Sequence, residues 1–116
     1  MVLSMLKFNL VLALLFVNIS AYAEDVINES CTSKSGASIF DIALNTSQGV
    51  GEIRYRYFEQ DIFYSAKITS IEGSVIKGIA EFKESRSGEV RGTSWIFTYD
   101  GQKKILWDNE FSTYCK

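Results

Sequence analysis

Three pairs of closely spaced carboxylates are the residues of this chain whose types and spacing could do chemistry. The pairs are Glu59 with Asp61, Glu81 with Glu84, and Asp108 with Glu110. Two carboxylates held across a cleft can hydrolyse a glycosidic bond, provided that burial raises the pKa of one of them. Each pair lies in a polar stretch, which keeps carboxylates solvated and ionised. We therefore expect ordinary surface acids at these positions.

Other catalytic and metal-binding chemistry has little support in the composition. The chain contains no histidine, which removes Ser-His-Asp triads, Cys-His dyads and most zinc sites. It also lacks a Gly-x-Ser-x-Gly nucleophile motif, a phosphate loop, a dinucleotide fingerprint and a calcium loop. The sequence therefore predicts a protein that is not an enzyme and that uses no cofactor or metal.

The first 23 residues have the composition of a cleaved secretory signal peptide. Lys7 precedes an apolar run over residues 8–17, and the small residues Ala21 and Ala23 fit an Ala-x-Ala cleavage site. A membrane span would need about twenty apolar residues, roughly twice this run. We expect residues 24–116 to form the exported domain, without a membrane anchor and in the periplasm or outside the cell.

The exported domain is mildly acidic. Removing Lys7 from the 12 basic residues, against 14 acidic ones, leaves a net charge of about −3. A nucleic-acid-binding surface would be strongly basic, so the composition argues against nucleic acid as a partner.

Both cysteines, Cys31 and Cys115, belong to the exported domain and are predicted to form one disulfide. Thiols are oxidised in the compartments that exported proteins reach, and the chain has no Cys-x-x-Cys redox motif. The bridge would close nearly the whole domain into one loop, which corresponds to about 4.5 kcal/mol of loop-closure entropy at most.

The sequence predicts that the carboxylate pairs and the two cysteines lie on β-strands or on the turns between them. In Glu52-Ile53-Arg54-Tyr55-Arg56-Tyr57, charged residues alternate with apolar or aromatic ones, so one face of the strand is expected to be exposed to solvent. The charged face is expected to be solvated and salt-paired. The predicted strands cover residues 39–44, 52–57, 62–71, 75–82, 89–99, 103–107 and 111–115. Residues 24–34 could hold one irregular helical turn, and Asp100-Gly101 predicts a type I′ turn.

These strands predict a single all-β domain, a small antiparallel meander that closes into a barrel of six to eight strands. Closure removes the two exposed edges that an open sheet would leave. A two-sheet β-sandwich is the alternative. The alternate aromatic residues are expected to form the core, and a stacking surface is the alternative use for them.

The expected outline, an exported β domain of about ninety residues with cysteines near both ends, resembles the bacterial periplasmic inhibitors of c-type lysozyme. The segment Trp95-Ile96-Phe97-Thr98-Tyr99-Asp100-Gly101, followed by Leu106 and Cys115, adds a little to the likeness. That family consists of small disulfide-bearing β-barrels, so the resemblance implies a barrel with an inhibitory role. The family's Ser-Gly-x-x-Tyr inhibitory loop has no counterpart, because neither Ser35-Gly36 nor Ser87-Gly88 is followed by the tyrosine. No functional residue is therefore carried over from the family.

The sequence leaves two functional hypotheses of different classes. The first is a non-catalytic protein-binding module, a periplasmic inhibitor or immunity protein that blocks a cell-wall-degrading enzyme or toxin. The polar segment 83–89 and the acidic turn 59–61 could present charge to a basic enzyme cleft. The candidate partner-binding residues are Glu59, Asp61, Glu84, Arg86 and Glu89. The second hypothesis is a carrier whose barrel interior holds an apolar small molecule among the aromatic side chains, which requires a cavity of several hundred cubic ångströms.

Overall fold

The chain folds into a closed antiparallel barrel in which eight strands follow one another in sequence order. A computed structural model describes residues 25–88, 94–108 and 111–116. The strands are β1 (Val26–Thr32), β2 (Ser38–Asn45), β3 (Val50–Tyr57), β4 (Gln60–Glu72), β5 (Val75–Ser85), β6 (Trp95–Asp100), β7 (Ile105–Trp107) and β8 (Ser112–Cys115). The predicted barrel is confirmed. Within those three ranges, no helix is long and apolar enough to span a membrane.

Period-two alternation decides which side chains enter the barrel. On β3, Ile53 is fully buried while the neighbouring Glu52 is exposed, and Ile53 pairs across the sheet with the buried Ile42 of β2. The interior is filled by residues that repeat this rule on the other strands. They are Cys31, Phe40, Leu44, Ile62, Tyr64, Ala66, Ile76, Ala80, Phe97, Tyr99, Leu106 and Cys115.

The charged face of β3 is paired as expected from the sequence. Arg54 forms a salt bridge with Asp61, and Arg56 forms one with Asp41 at 2.6 Å. The Glu52 carboxylate lies 3.8 Å from the Lys83 ammonium. These partners are on the two strands that flank β3 and on β5. The outer surface of this part of the barrel is therefore a belt of alternating charges.

Gly78 allows β5 to approach its neighbours closely. A Cβ atom at this position would lie 2.3 Å from the Lys67 carbonyl oxygen and 2.6 Å from the Phe97 ring. The β4–β5 ladder is also irregular near this point, with a register shift between Ile68 and Ser70. Both features coil the sheet, as closing a small barrel requires.

The disulfide between Cys31 and Cys115 is confirmed and closes the barrel where the strand pairing is shortest. Strand β1 pairs with β8 over two residue pairs, Cys31 with Cys115 and Thr32 with Tyr114. On its other side, β1 pairs with β2 over all seven residues. The covalent bond therefore holds the last seam of the barrel together.

The helical turn expected within residues 24–34 is wrong. Residues 26–32 form β1, whose alternate residues Ile27, Glu29 and Cys31 are the less exposed ones. The acid at position 29 hides the alternation in the sequence, because an inward position normally carries an apolar residue. Complete pairing with β2 overrides the weak local pattern.

The turn expected at Asp100-Gly101 occurs in that place but is not of type I′. Gly101 does not adopt a positive φ; the left-handed residue is Lys104, with φ 58°. The Lys104 amide donates to the Asp100 carbonyl, and the Asp100 carboxylate accepts the amides of Gln102 and Lys103. This wider turn delays β7, which begins at Ile105 rather than at position 103.

Two other boundaries differ from the sequence-based ones. β5 continues to Ser85, which pairs with Ile62, so the expected loop at residues 83–88 is shorter. The structure describes β6 from Trp95; the first residues of the predicted strand 89–99, including Glu89, lie outside the described residues. The expected signal peptide, residues 1–23, also lies outside them.

Candidate functional site

The two ends of the barrel carry different features. One end, which we call the tip end, contains the β3–β4 turn and the connection that follows β5. The other, which we call the cup end, contains the start of β1 and the turns at residues 46–49, 73–74 and 101–104. This arrangement follows from the alternating strand directions of an antiparallel barrel.

Phe58 is the most exposed large apolar side chain described at the tip end. Its side chain is 81% exposed, and its backbone has a left-handed φ of 54°. Tyr57 pairs with Gln60, so Phe58 and Glu59 form a two-residue hairpin turn with a positive φ at its first position. Glycine usually occupies that position in a type II′ turn. A non-glycine residue there costs about 1–2 kcal/mol.

A series of ring contacts connects Phe58 to the core. Phe58 meets Tyr57 edge to face at 4.5 Å between ring centroids, and Tyr57 stacks against Tyr55 at 6.4 Å. Tyr55 in turn lies 4.8 Å from the buried Phe40. The contact with Tyr57 therefore connects the exposed ring to the aromatic side chains of the core.

A charged cluster surrounds Phe63 on the outer face of the same hairpin. Arg54 donates two hydrogen bonds of 2.8 Å to the Asp61 carboxylate. The guanidinium carbons of Arg54 and Arg86 lie 5.2 and 4.6 Å from the centre of the Phe63 ring, within the range of cation–π attraction. The hydrogen bonds from Arg54 lower the pKa of Asp61 and outweigh the effect of desolvation.

The structure brings four of the five candidate partner-binding residues onto this hairpin and its neighbour. Glu59 is exposed at the turn, and Glu84 pairs with Phe63 across β4 and β5. The Asp61 carboxylate forms the salt bridge with Arg54. The Arg86 backbone amide donates to the Asp61 backbone carbonyl at 2.8 Å. Glu89 lies outside the described residues. We call Phe58, Glu59, Phe63, Glu84 and Arg86 the tip surface.

The cup end holds a groove of about 620 Å³ that opens to solvent. We call this groove the cup. The Glu29 side chain, 8% exposed, lines it, and its Oε2 atom accepts hydrogen bonds from the Tyr99 hydroxyl at 2.8 Å and from Lys104 Nζ. Ile27 and Ile76 supply apolar walls. An ion pair between a shielded carboxylate and a half-exposed ammonium therefore lines an otherwise mixed groove.

Burial and hydrogen bonding act in opposite directions on Glu29. Desolvation raises the pKa of this carboxyl, but the hydrogen bonds from Lys104 and Tyr99 outweigh it, so the pKa lies below its usual value. Burial, followed by the hydrogen bond to Glu29, raises the pKa of Tyr99. Glu29 is therefore a carboxylate at neutral pH, and Tyr99 is a hydroxyl donor.

Sequence reasoning missed the left-handed Phe58 and the Glu29 site. The alternation that marks β3 ends at Tyr57, and the residue types around Phe58 do not indicate that its backbone has a positive φ. For Glu29 a signal was present, since an acid between Ile27 and Cys31 occupies an inward position once β1 is recognised as a strand. Within the described ranges, no cluster of three or more potential metal ligands occurs.

A disulfide in a barrel of this size is compatible with an extracellular location. Comparison of the chain with protein-family models, with curated proteins and with solved structures found no match.

Proposed function

We propose that this protein is an exported, non-catalytic binding module that blocks a cell-wall-degrading enzyme or a toxin, in the periplasm or outside the cell. Its tip surface enters the active-site cleft of that partner. The single observation that carries the proposal is Phe58, an aromatic ring that is 81% exposed on a backbone of left-handed φ.

The conformation of Phe58 supports a binding role because it lowers stability without filling the core. Strained backbone of this kind concentrates at functional sites, where the surrounding structure holds it in place. Exposed aromatic anchors dominate the energetics of many protein interfaces. The contact with Tyr57, which itself stacks on Tyr55, restricts the Phe58 ring before binding and so reduces the entropy lost on association.

The charges beside Phe58 favour a basic partner. Glu59 and Glu84 are exposed and make no ion pair within the described part of the chain. Acids that are not neutralised internally remain available to the positive charges of a partner, and they act mainly on the association rate. Arg86, stacked on Phe63, adds a planar donor at the edge of the same surface.

The alternative function, a β-barrel carrier of a small molecule, has less support from the geometry of the barrel interior. It places an apolar ligand among the aromatic side chains inside the barrel. Those side chains instead contact one another, with Trp95 lying 5.6 Å from Phe40, 5.5 Å from Tyr64 and 6.4 Å from Phe97 between ring centroids. Their mutual packing occupies the space that such a ligand would need.

An inhibition assay tests the proposal. The purified, disulfide-bonded protein is titrated into c-type and g-type lysozymes, a lytic transglycosylase, a peptidoglycan amidase and any toxin encoded beside it. We expect submicromolar inhibition of at least one basic enzyme. The double variant Glu59→Lys, Glu84→Lys should inhibit about tenfold more weakly at low salt, with the difference shrinking as salt is raised.

A matched control separates the tip surface from charge in general. Glu72 is an exposed acid at the cup end, and Glu72→Lys should inhibit as the unmodified protein does. Equal loss in both variants would reject a local role for the tip surface. Absence of inhibition across the whole panel and the adjacent toxin would reject the proposed function.

A further inference from the structure

The cup presents a carboxylate with one oxygen still available. Both hydrogen bonds to Glu29 end on Oε2, and Oε1 accepts none from the described residues. The Glu29 side chain is 8% exposed, and because its Oε1 atom is not fully buried, a ligand in the groove can reach this oxygen. A carboxylate oxygen in such a place favours a hydrogen-bond donor that carries positive charge.

Lys104 shows what kind of group this carboxylate accepts. Its ammonium reaches Glu29 at the end of a flexible aliphatic stem, and its side chain is 53% exposed. The cup is also bordered by Asp25, so among the described residues its ionisable lining comprises two carboxylates and one ammonium. The lining therefore keeps a negative balance after the internal ion pair has formed.

The walls of the cup suit a short hydrocarbon chain. Ile27 and Ile76 lie along the groove, and the exposed Val26 and Ile71 stand at its border. Burying apolar surface against such walls contributes roughly 25 cal/mol per Å². The volume of about 620 Å³ falls within the range of small-ligand sites, and barrel mouths are common places for them.

From these observations we infer that the cup is a second binding site, separate from the tip surface, for a primary ammonium group on an aliphatic stem. The ammonium donates to Glu29 beside or in place of Lys104, and the stem lies between Ile27 and Ile76. A free alkylamine and a lysine side chain share this chemistry.

Titrations followed by the backbone amide signals of Asp25–Glu29 and Gly101–Lys104 in NMR spectra test the inference. The probes are n-pentylamine and 1-pentanol, and then the N-acetyl methylamides of lysine and of norleucine. Each neutral probe matches its partner in stem length. We expect saturable shifts with the two amines and at least tenfold weaker binding of pentanol and the norleucine derivative. Binding of n-pentylamine alone would assign the site to free amines, and binding of both amines would extend it to protein-borne lysine.

Three variants sharpen the test. Lys104→Met keeps the stem and removes the competing ammonium, so it should bind n-pentylamine about tenfold more tightly. Glu29→Gln, checked for an intact amide spectrum, should bind about tenfold more weakly, and Lys103→Met, whose residue does not line the cup, should match the unmodified protein. Equal shifts with pentylamine and pentanol, or unchanged affinity in Lys104→Met, would overturn the inference. None of these outcomes depends on the inhibition assay of the tip surface.

Discussion

The Tyr99 hydroxyl donates a 2.8 Å hydrogen bond to Glu29 Oε2 and so joins β6 to β1 across 70 positions of sequence. The bond lies where the backbone leaves a gap in the barrel. Strand β8 pairs with the last two residues of β1, and the Lys116 amide donates to the Ser30 carbonyl. In the described structure no strand covers that edge of the first four residues of β1. Side chains therefore close the part of the seam that backbone pairing leaves open.

Removing the Tyr99 hydroxyl should weaken this closure. In Tyr99→Phe the ring keeps its place in the core, but the Glu29 carboxylate loses a donor in a buried position. We expect a loss of about 1.5–3 kcal/mol in the free energy of unfolding, because the bond involves a charged group. Urea denaturation measures it. Tyr114→Phe, at an exposed tyrosine on β8, is the control and should change stability by less than about 0.5 kcal/mol. Equal losses in the two variants would contradict the role of the seam.

The same contact predicts a pH dependence. The pKa of Glu29 is lower in the folded protein than its usual value of 4.5, so the unfolded chain takes up this proton first as the pH falls. The contribution of the Glu29 carboxylate to the free energy of unfolding is complete above pH 4.5 and is lost as the pH falls through the folded-state pKa. Glu29→Gln should therefore be less stable than the unmodified protein at pH 7, and the gap in urea midpoint should narrow towards pH 3. A gap that stays constant over this range would argue against the ion pair. Asp61 and Asp100, whose pKa values are also lowered, contribute to the decline in both proteins.

Reducing the disulfide should destabilise the whole barrel. Cys31 and Cys115 are 84 positions apart, and their strands share two residue pairs. We expect a loss of about 2–4.5 kcal/mol, measured by chemical denaturation with and without a phosphine reductant. Amide exchange should accelerate first in β1 and β8. A reduced protein that unfolds at the same denaturant concentration would show that the seam holds without the covalent bond.

Gly78 should tolerate no side chain. The Cβ of Gly78→Ala would meet the Lys67 carbonyl oxygen at 2.3 Å, and backbone cannot move aside as a flexible side chain can. We expect a loss of about 1–3 kcal/mol or more in the free energy of unfolding. Gly101→Ala is the control, since its nearest contact, the Tyr99 ring, is 3.4 Å away and its φ is not positive. Comparable effects of the two substitutions would count against the close approach of β5 to β4.

The sequence predicted the barrel and the disulfide because their signals are local and compositional. Alternation over β2 and β3 identified the inward residues Ile42 and Ile53, and the expectation of export made a bond between the two cysteines the simplest pairing. The charged belt also followed, since outward Arg54 and Arg56 need acidic neighbours. These features depend on period and charge, which the chain displays directly.

The candidate site was predicted in part. Glu59, Glu84 and Arg86 follow from polar stretches between strands, and the structure brings them onto one hairpin pair. Phe58 required knowledge of its backbone dihedral, which no pattern of residue types encodes. The Glu29 site required β1 to meet the end of β6 and the turn that follows it, because Glu29 is 70 positions from Tyr99 and 75 from Lys104. Contacts set by closure of a barrel cannot be read from alternation alone.

The most direct test of the proposed function is to measure stability and inhibition together in Phe58→Gly. Glycine accepts the left-handed φ, which offsets the lost ring contact with Tyr57, so the free energy of unfolding should change by less than about 1 kcal/mol. Ile96→Thr, at another exposed apolar residue, serves as the control. The account predicts that Phe58→Gly loses at least about thirtyfold in inhibitory potency while Ile96→Thr retains it, since an aromatic anchor contributes about 2 kcal/mol or more. A stable Phe58→Gly protein that inhibits as well as the unmodified one would contradict the account.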